Sequence, residues 1–183
     1  MIGSAEAVES LLVLAGAQEP ILDPTFGSGV FWKNSRRDVR GYDKNPDRGP
    51  CGVVDFCQMP FRDGAFPTVV FDPPFHPFVN SAEEDRFSGM GANEKELKSL
   101  FQSGIMECWR IAQRHLIVKC QSYIHNHAPQ WMPLWAIEVC GDPFEWLIAT
   151  RHGKRISGRW KSVRSLRRRH ADYLLFDKRG NRR

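Results

Sequence analysis

The sequence predicts an α/β fold, a mostly parallel sheet with helices on both faces. Three observations point there. Short apolar runs that end in an acid or a turn alternate with amphipathic stretches, the pattern of strand–helix–strand units. A glycine-rich turn follows directly on the first of those runs. The last two apolar runs have no clear helical pattern between them, so they are expected to pair antiparallel at one edge and bring the sheet to seven strands.

In chain order, Ala5 to Leu14 and the residue after it place Val8, Leu11, Leu12 and Ala15 at helical spacing. Pro20-Ile21-Leu22-Asp23 reads as a short buried strand ending in a turn. Val39 to Asp43 is a second strand and Gly52 to Asp55 a third. Thr68-Val69-Val70-Phe71 is a buried strand closed by Asp72-Pro73-Pro74, because proline donates nothing to a ladder. Asn93 to Ala112 is helical, with Asn93 able to cap and Glu96 three residues later, as in a capping box. His115 to Lys119 is a fifth strand and Pro129 to Val139 a weaker helix. Phe144 to Ala149 and Ala171 to Phe176 are the last two strands.

A length of 183 residues implies one domain, 1–183, with the basic segment 151–183 part of it. Apolar residues at 42% and charged residues at 26% exclude a disordered chain or a fibre. The apolar run Leu11 to Ala15 is far short of the roughly 20 residues that span a membrane. No basic stretch precedes it, so no secretory leader is expected and the predicted location is cytoplasmic, as a monomer or homodimer. Five cysteines without a CxxC pair read as reduced thiols. Cys120, His125 and His127 fit no familiar zinc spacing, so no metal is expected.

The net charge of +5 conceals an asymmetry. Residues 1–150 hold 13 Lys/Arg against 19 Asp/Glu, whereas residues 151–183 hold 13 against two. A basic excess on so short a segment attracts a polyanion through phosphate neutralisation. Trp160, Val163 and Leu166 are interleaved with it, so the segment can pack while presenting Arg159, Lys161, Arg164, Arg167, Arg168 and Arg169 outward. These six are candidate contacts to a nucleic-acid backbone, as is Lys119 after the fifth strand, and His76 beside the fourth strand's tip is a further candidate substrate contact.

Asp23-Pro24-Thr25-Phe26-Gly27-Ser28-Gly29 follows the first strand. Gly27 and Gly29 permit backbone angles and a close ligand approach that a side chain would block. Ligands of open α/β sheets bind at this edge. Asp43, 20 residues after Asp23, can accept both hydroxyls of a ribose. Asp55 can accept from the amine of a purine, and Phe56 could cover its ring. A third glycine is lacking, since Trp32 stands in its place, and no Lys-Ser/Thr follows. A nucleoside ligand without phosphates fits better than a dinucleotide or ATP.

The most specific feature is Asp72-Pro73-Pro74-Phe75. A carboxylate at a strand tip and the Pro73 carbonyl can accept the two N–H groups of a planar amine, while Phe75 stacks on its ring. From residue 5 to about 178 the chain resembles the class I S-adenosylmethionine-dependent methyltransferases. Within them it resembles the nucleic-acid amino-methyltransferases that carry a D/N-P-P-Y/F motif. The resemblance implies a Rossmann-like fold and S-adenosylmethionine as cofactor. It implies cofactor contacts at Asp23, Pro24, Thr25, Phe26, Gly27, Gly29, Asp43, Asp55 and Phe56, and catalysis at Asp72, Pro73, Pro74 and Phe75. The implied reaction is methylation of a nucleobase amine, with adenine N6 in DNA first. Adenine N6 or guanine N2 in RNA, and a non-catalytic nucleic-acid-binding subunit of the same fold, are the alternatives.

Overall fold

The computed structural model describes residues 3–74, 94–125, 128–150 and 170–180. Its first strands are β1, Ile21–Asp23, and β2, Val39–Gly41, paired in parallel with Asp23 beside Gly41. β3, Phe66–Phe71, lies parallel to β1 on its other side, and β4, Ala112–Cys120, parallel to β3 with Phe71 beside Val118. β7, Glu145–Thr150, and β8, His170–Asp177, complete the sheet. β8 inserts antiparallel between β4 and β7, so the order is β2-β1-β3-β4-β8-β7.

Helices cover both faces because strand side chains alternate. Ile21, Val70, Ile117, Tyr173 and Leu175 face α1, Ser4–Leu14, through Ala7, Val8, Leu11 and Leu12. Leu22, Val69, Phe71, Leu116, Val118, Leu174 and Phe176 face the other way. There they meet α2, Glu94–Ile111, and α3, Met132–Cys140, through Leu97, Phe101, Ile105, Trp135 and Ala136. Among the described residues no helix is long and apolar enough to cross a membrane.

The expected doubly covered, mostly parallel sheet is present, with six strands rather than seven among the described residues. The missing strand is Gly52 to Asp55, which makes only one parallel bridge, Val53 to Asp43. Two local causes are visible. Gly52 sits at φ 138°, outside strand geometry. Asp55 closes its own turn, accepting Cys57 N–H on its side chain and Gln58 N–H on its carbonyl.

Two further differences concern the β4–α3 connection. Tyr123–His125 (β5) and Ala128–Gln130 (β6) form a small antiparallel hairpin. The expected helix from Pro129 therefore starts later, at Met132. The proline that reads as a helix start is instead a strand residue facing Ile124. Asn93, expected to cap α2, lies outside the described residues.

Candidate active site

The carboxyl ends of β1, β2 and β3 meet at one edge of the sheet, and the glycine turn lies over them. Asp23, at the end of β1, is only 2% exposed. Its Oδ1 accepts from Thr25 N at 2.9 Å and from the Thr25 hydroxyl at 3.1 Å, and its Oδ2 from Trp32 Nε1 at 2.6 Å. Trp32, which stands where a third glycine was missed, thus anchors the turn. No helix follows the turn. Instead Gly29 N–H bonds Phe26 O, Trp32 N–H bonds Gly29 O and Ser35 N–H bonds Trp32 O, a run of tight turns leading toward β2.

Gly27 and Gly29 have φ values of 55° and 65°, the left-handed region. The Gly27 N–H donates to Asp43 Oδ2 at 2.8 Å, which holds that carboxylate against the turn, while Asp43 Oδ1 accepts from Asn45 N–H at 2.8 Å. Asp55 ion-pairs with Lys44 at 3.4 Å. Phe56, expected to cover the ring of the ligand, is half-buried at this edge. It packs edge-on against Phe71, with ring centroids 5.3 Å apart, and fills the space left by Gly104 of α2.

Phe26, also expected at the cofactor, is half-buried and packs on two glycines. Its ring occupies the positions where a β-carbon on Gly29 or on Gly41 would stand. Gly41→Ala should therefore push the ring aside and cost about 1–3 kcal/mol, the usual scale for overpacking. Urea unfolding measures it, and an unchanged midpoint would show that the ring has room to move.

Asp72 follows β3. Its backbone N–H donates to Thr25 Oγ1 at 2.9 Å, so one hydroxyl joins the tips of β1 and β3. Its Oδ2 accepts from Lys119 Nζ at 2.6 Å. Pro73 is buried and Pro74 half-buried behind it. Lys119 was expected to face a nucleic-acid backbone. It is instead nearly enclosed, with its ammonium 5.0 Å from the Phe31 ring centroid and bonded to Asp72. The β3–β4 register foretells this: Phe71 lies beside Val118, so the next pair outward is Asp72 and Lys119. Phe75, His76, Arg159, Lys161, Arg164, Arg167, Arg168 and Arg169 lie outside the described residues.

Burial pushes the Asp23 carboxyl up to about 6, with the Asp72 charge adding to the rise and the donors of Trp32 and Thr25 opposing it. The ordinary value is 3.8, so the folded chain binds this proton more tightly than the unfolded chain. The group's contribution to stability is therefore greatest at low pH. It declines as pH rises from about 4 to about 6, by about 3 kcal/mol in total, and is level above that. Trp32→Phe removes the strongest opposing donor and should push the carboxyl higher still. Carboxyl carbon NMR checks both statements; an Asp23 signal titrating near 4 would refute them.

The chain matches no protein-family model and no curated protein. It does resemble solved structures. One is a Thermoplasma acidophilum protein, 14% identical with a TM-score of 0.60, covering 95% of this chain and 88% of that one. Another is a geranyl diphosphate methyltransferase in complex with GPP and sinefungin, 11% identical with a TM-score of 0.58, covering 94% and 78%. A third is an S-adenosylmethionine-dependent methyltransferase from Thermotoga maritima, 11% identical with a TM-score of 0.50, covering 93% and 88%. At such identities the likeness is one of fold, a mixed α/β sheet of the Rossmann-like methyltransferase kind.

Proposed function

We propose that the chain is an S-adenosylmethionine-dependent methyltransferase acting on an exocyclic amine of a nucleobase, adenine N6 in DNA first. The observation that carries this reading is the tip of β3. Asp72, backed by Pro73 and Pro74, is held by Thr25 to the same glycine turn that holds Asp43. An acceptor for an amine and a cradle for a nucleoside thus share one edge of the sheet.

The residues present suit the cofactor. Gly27 leaves the turn without a side chain, its φ of 55° bending the backbone around Asp43. Asp43 would accept the ribose hydroxyls, and Asp55, at the adjoining turn, the adenine amine. When bound, the cofactor supplies an electrophilic methyl group on a sulfonium. The chain's part is to present the acceptor nitrogen. An amine conjugated into its ring is a poor nucleophile. Asp72 and the Pro73 carbonyl accept its two N–H bonds, which favours a pyramidal nitrogen with its lone pair exposed. Rate then comes from alignment and electrostatics more than from proton transfer. A base must leave its stack to reach such a pocket, so an unpaired or flipped nucleotide is the expected substrate.

The basic balance of residues 151–183 supports a polyanionic substrate over a small molecule. The test is methyl-labelled cofactor with DNA and RNA pools, followed by nucleoside mass analysis. Labelled N6-methyladenine from DNA is the expected product. Label appearing in RNA alone would move the substrate, and no label in either pool would overturn the enzymatic reading in favour of a binding subunit.

A further inference from the structure

We propose that Lys119 determines which amines Asp72 accepts: by neutralising the carboxylate it admits a neutral planar amine and turns away a protonated alkylamine. The inference rests on the assignment of Asp72 to the acceptor.

Lys119 Nζ lies 2.6 Å from Asp72 Oδ2, and the two side chains are 7% and 21% exposed. The ammonium is thus enclosed rather than displayed, with Phe31 on a further side at 5.0 Å. Aromatic faces favour a cation, so the ring helps to hold it there. Parallel register fixes the pairing, because Asp72 and Lys119 extend neighbouring strands beyond the Phe71–Val118 pair. Both point to the α1 side of the sheet, as Val70 and Ile117 do two residues earlier.

A half-enclosed carboxylate without such a partner would be a cation site. Alkylamines are protonated at neutral pH, with ordinary pKa values near 10.4, and would be drawn to it. With Lys119 in place the pair is formally neutral, and a second ammonium would meet a like charge in a poorly solvated space. An amine conjugated into a nucleobase carries no charge and meets no such repulsion. It needs only acceptors, and a carboxylate's two oxygens accept up to about four hydrogen bonds. Lys119 therefore costs a neutral amine little and an ammonium a great deal.

The probe is n-butylammonium chloride, titrated calorimetrically at pH 7 into the full chain. Lys119→Gln keeps a donor toward Asp72 and removes the charge. It should bind the probe at least tenfold tighter than either the wild type or Lys119→Arg. Adding Asp72→Asn to Lys119→Gln should abolish the gain, which places it at Asp72. Lys119→Ala serves as the second variant: butylammonium should raise its melting temperature and leave that of the wild type unchanged. If neither variant responds to the probe more than the wild type does, Lys119 is only a structural partner and the proposal is overturned. These are binding readouts, so they separate the two claims. Cation binding gained by a chain that methylates no nucleobase would count against the function alone. Nucleobase methylation with no cation response would count against Lys119 alone.

Discussion

Asp72→Ala should abolish methyl transfer and also lower the unfolding free energy by about 3 kcal/mol. The second effect arises because the substitution leaves the Lys119 ammonium enclosed without its carboxylate. Removing one partner of a buried pair typically costs about 3–5 kcal/mol, and the lower end applies because Asp72 is 21% exposed. The double variant Asp72→Ala/Lys119→Met should regain most of that stability, since no charge is then stranded, and regain none of the activity. Urea unfolding and labelled-methyl incorporation separate the two effects. A double variant no more stable than the single one would show that the pair contributes nothing to folding. A third readout is available at β1. The Asp72 charge helps to raise the Asp23 carboxyl, so its loss should let Asp23 titrate lower.

Asp43→Ala should weaken S-adenosylmethionine binding by about 1–3 kcal/mol, roughly 5- to 150-fold, the scale for hydrogen bonds to a charged group. The structure adds a reason beyond lost ligand contacts. Asp43 Oδ2 also receives the Gly27 N–H, so its removal loosens the turn from β2. Asp38→Ala is the control, because Asp38 is an exposed acid beside β2 whose carboxylate pairs with Arg40 on the surface, and it should leave affinity unchanged. Calorimetry on both variants decides the matter: affinity within twofold of wild type for Asp43→Ala would mean that the nucleoside pocket is misplaced.

What the sequence made legible is what backbone punctuation marks. Gly27, Gly29 and the prolines after Asp72 stop or bend the chain wherever they occur, so the tips of β1 and β3 could be found without the fold. Asp43 was visible by its distance from the turn. The departures arise partly from local backbone geometry and partly from partners far along the chain. Gly52 to Asp55 looks like a strand by composition, yet with Gly52 at φ 138° and Asp55 bridged to Gln58 in its own turn, it makes a single parallel bridge, Val53 to Asp43. The β5–β6 hairpin was masked by Pro129. Phe26 and Phe56 read as ligand-facing aromatics; that their rings also fill the space over Gly29, Gly41 and Gly104 depends on contacts across the fold. Lys119 looked like a phosphate contact because a lysine at a strand end is usually wet. Its tie to Asp72 depends on strand register, which a single sequence does not display.

Thr25 carries a consequence for the way two ligands would communicate. Its hydroxyl donates to Asp23 under the glycine turn and accepts from the Asp72 amide at the tip of β3. A single proton must point one way, so the orientation imposed at Asp23 fixes the lone pair offered to Asp72. Whatever steadies the turn also steadies the tip of β3, and on the proposed function the two binding equilibria would share a coupling free energy. Linkage would then require symmetry: the cofactor should raise acceptor affinity by the same factor as the acceptor raises cofactor affinity. With Thr25→Val that factor should fall toward one, each ligand binding as though the other were absent.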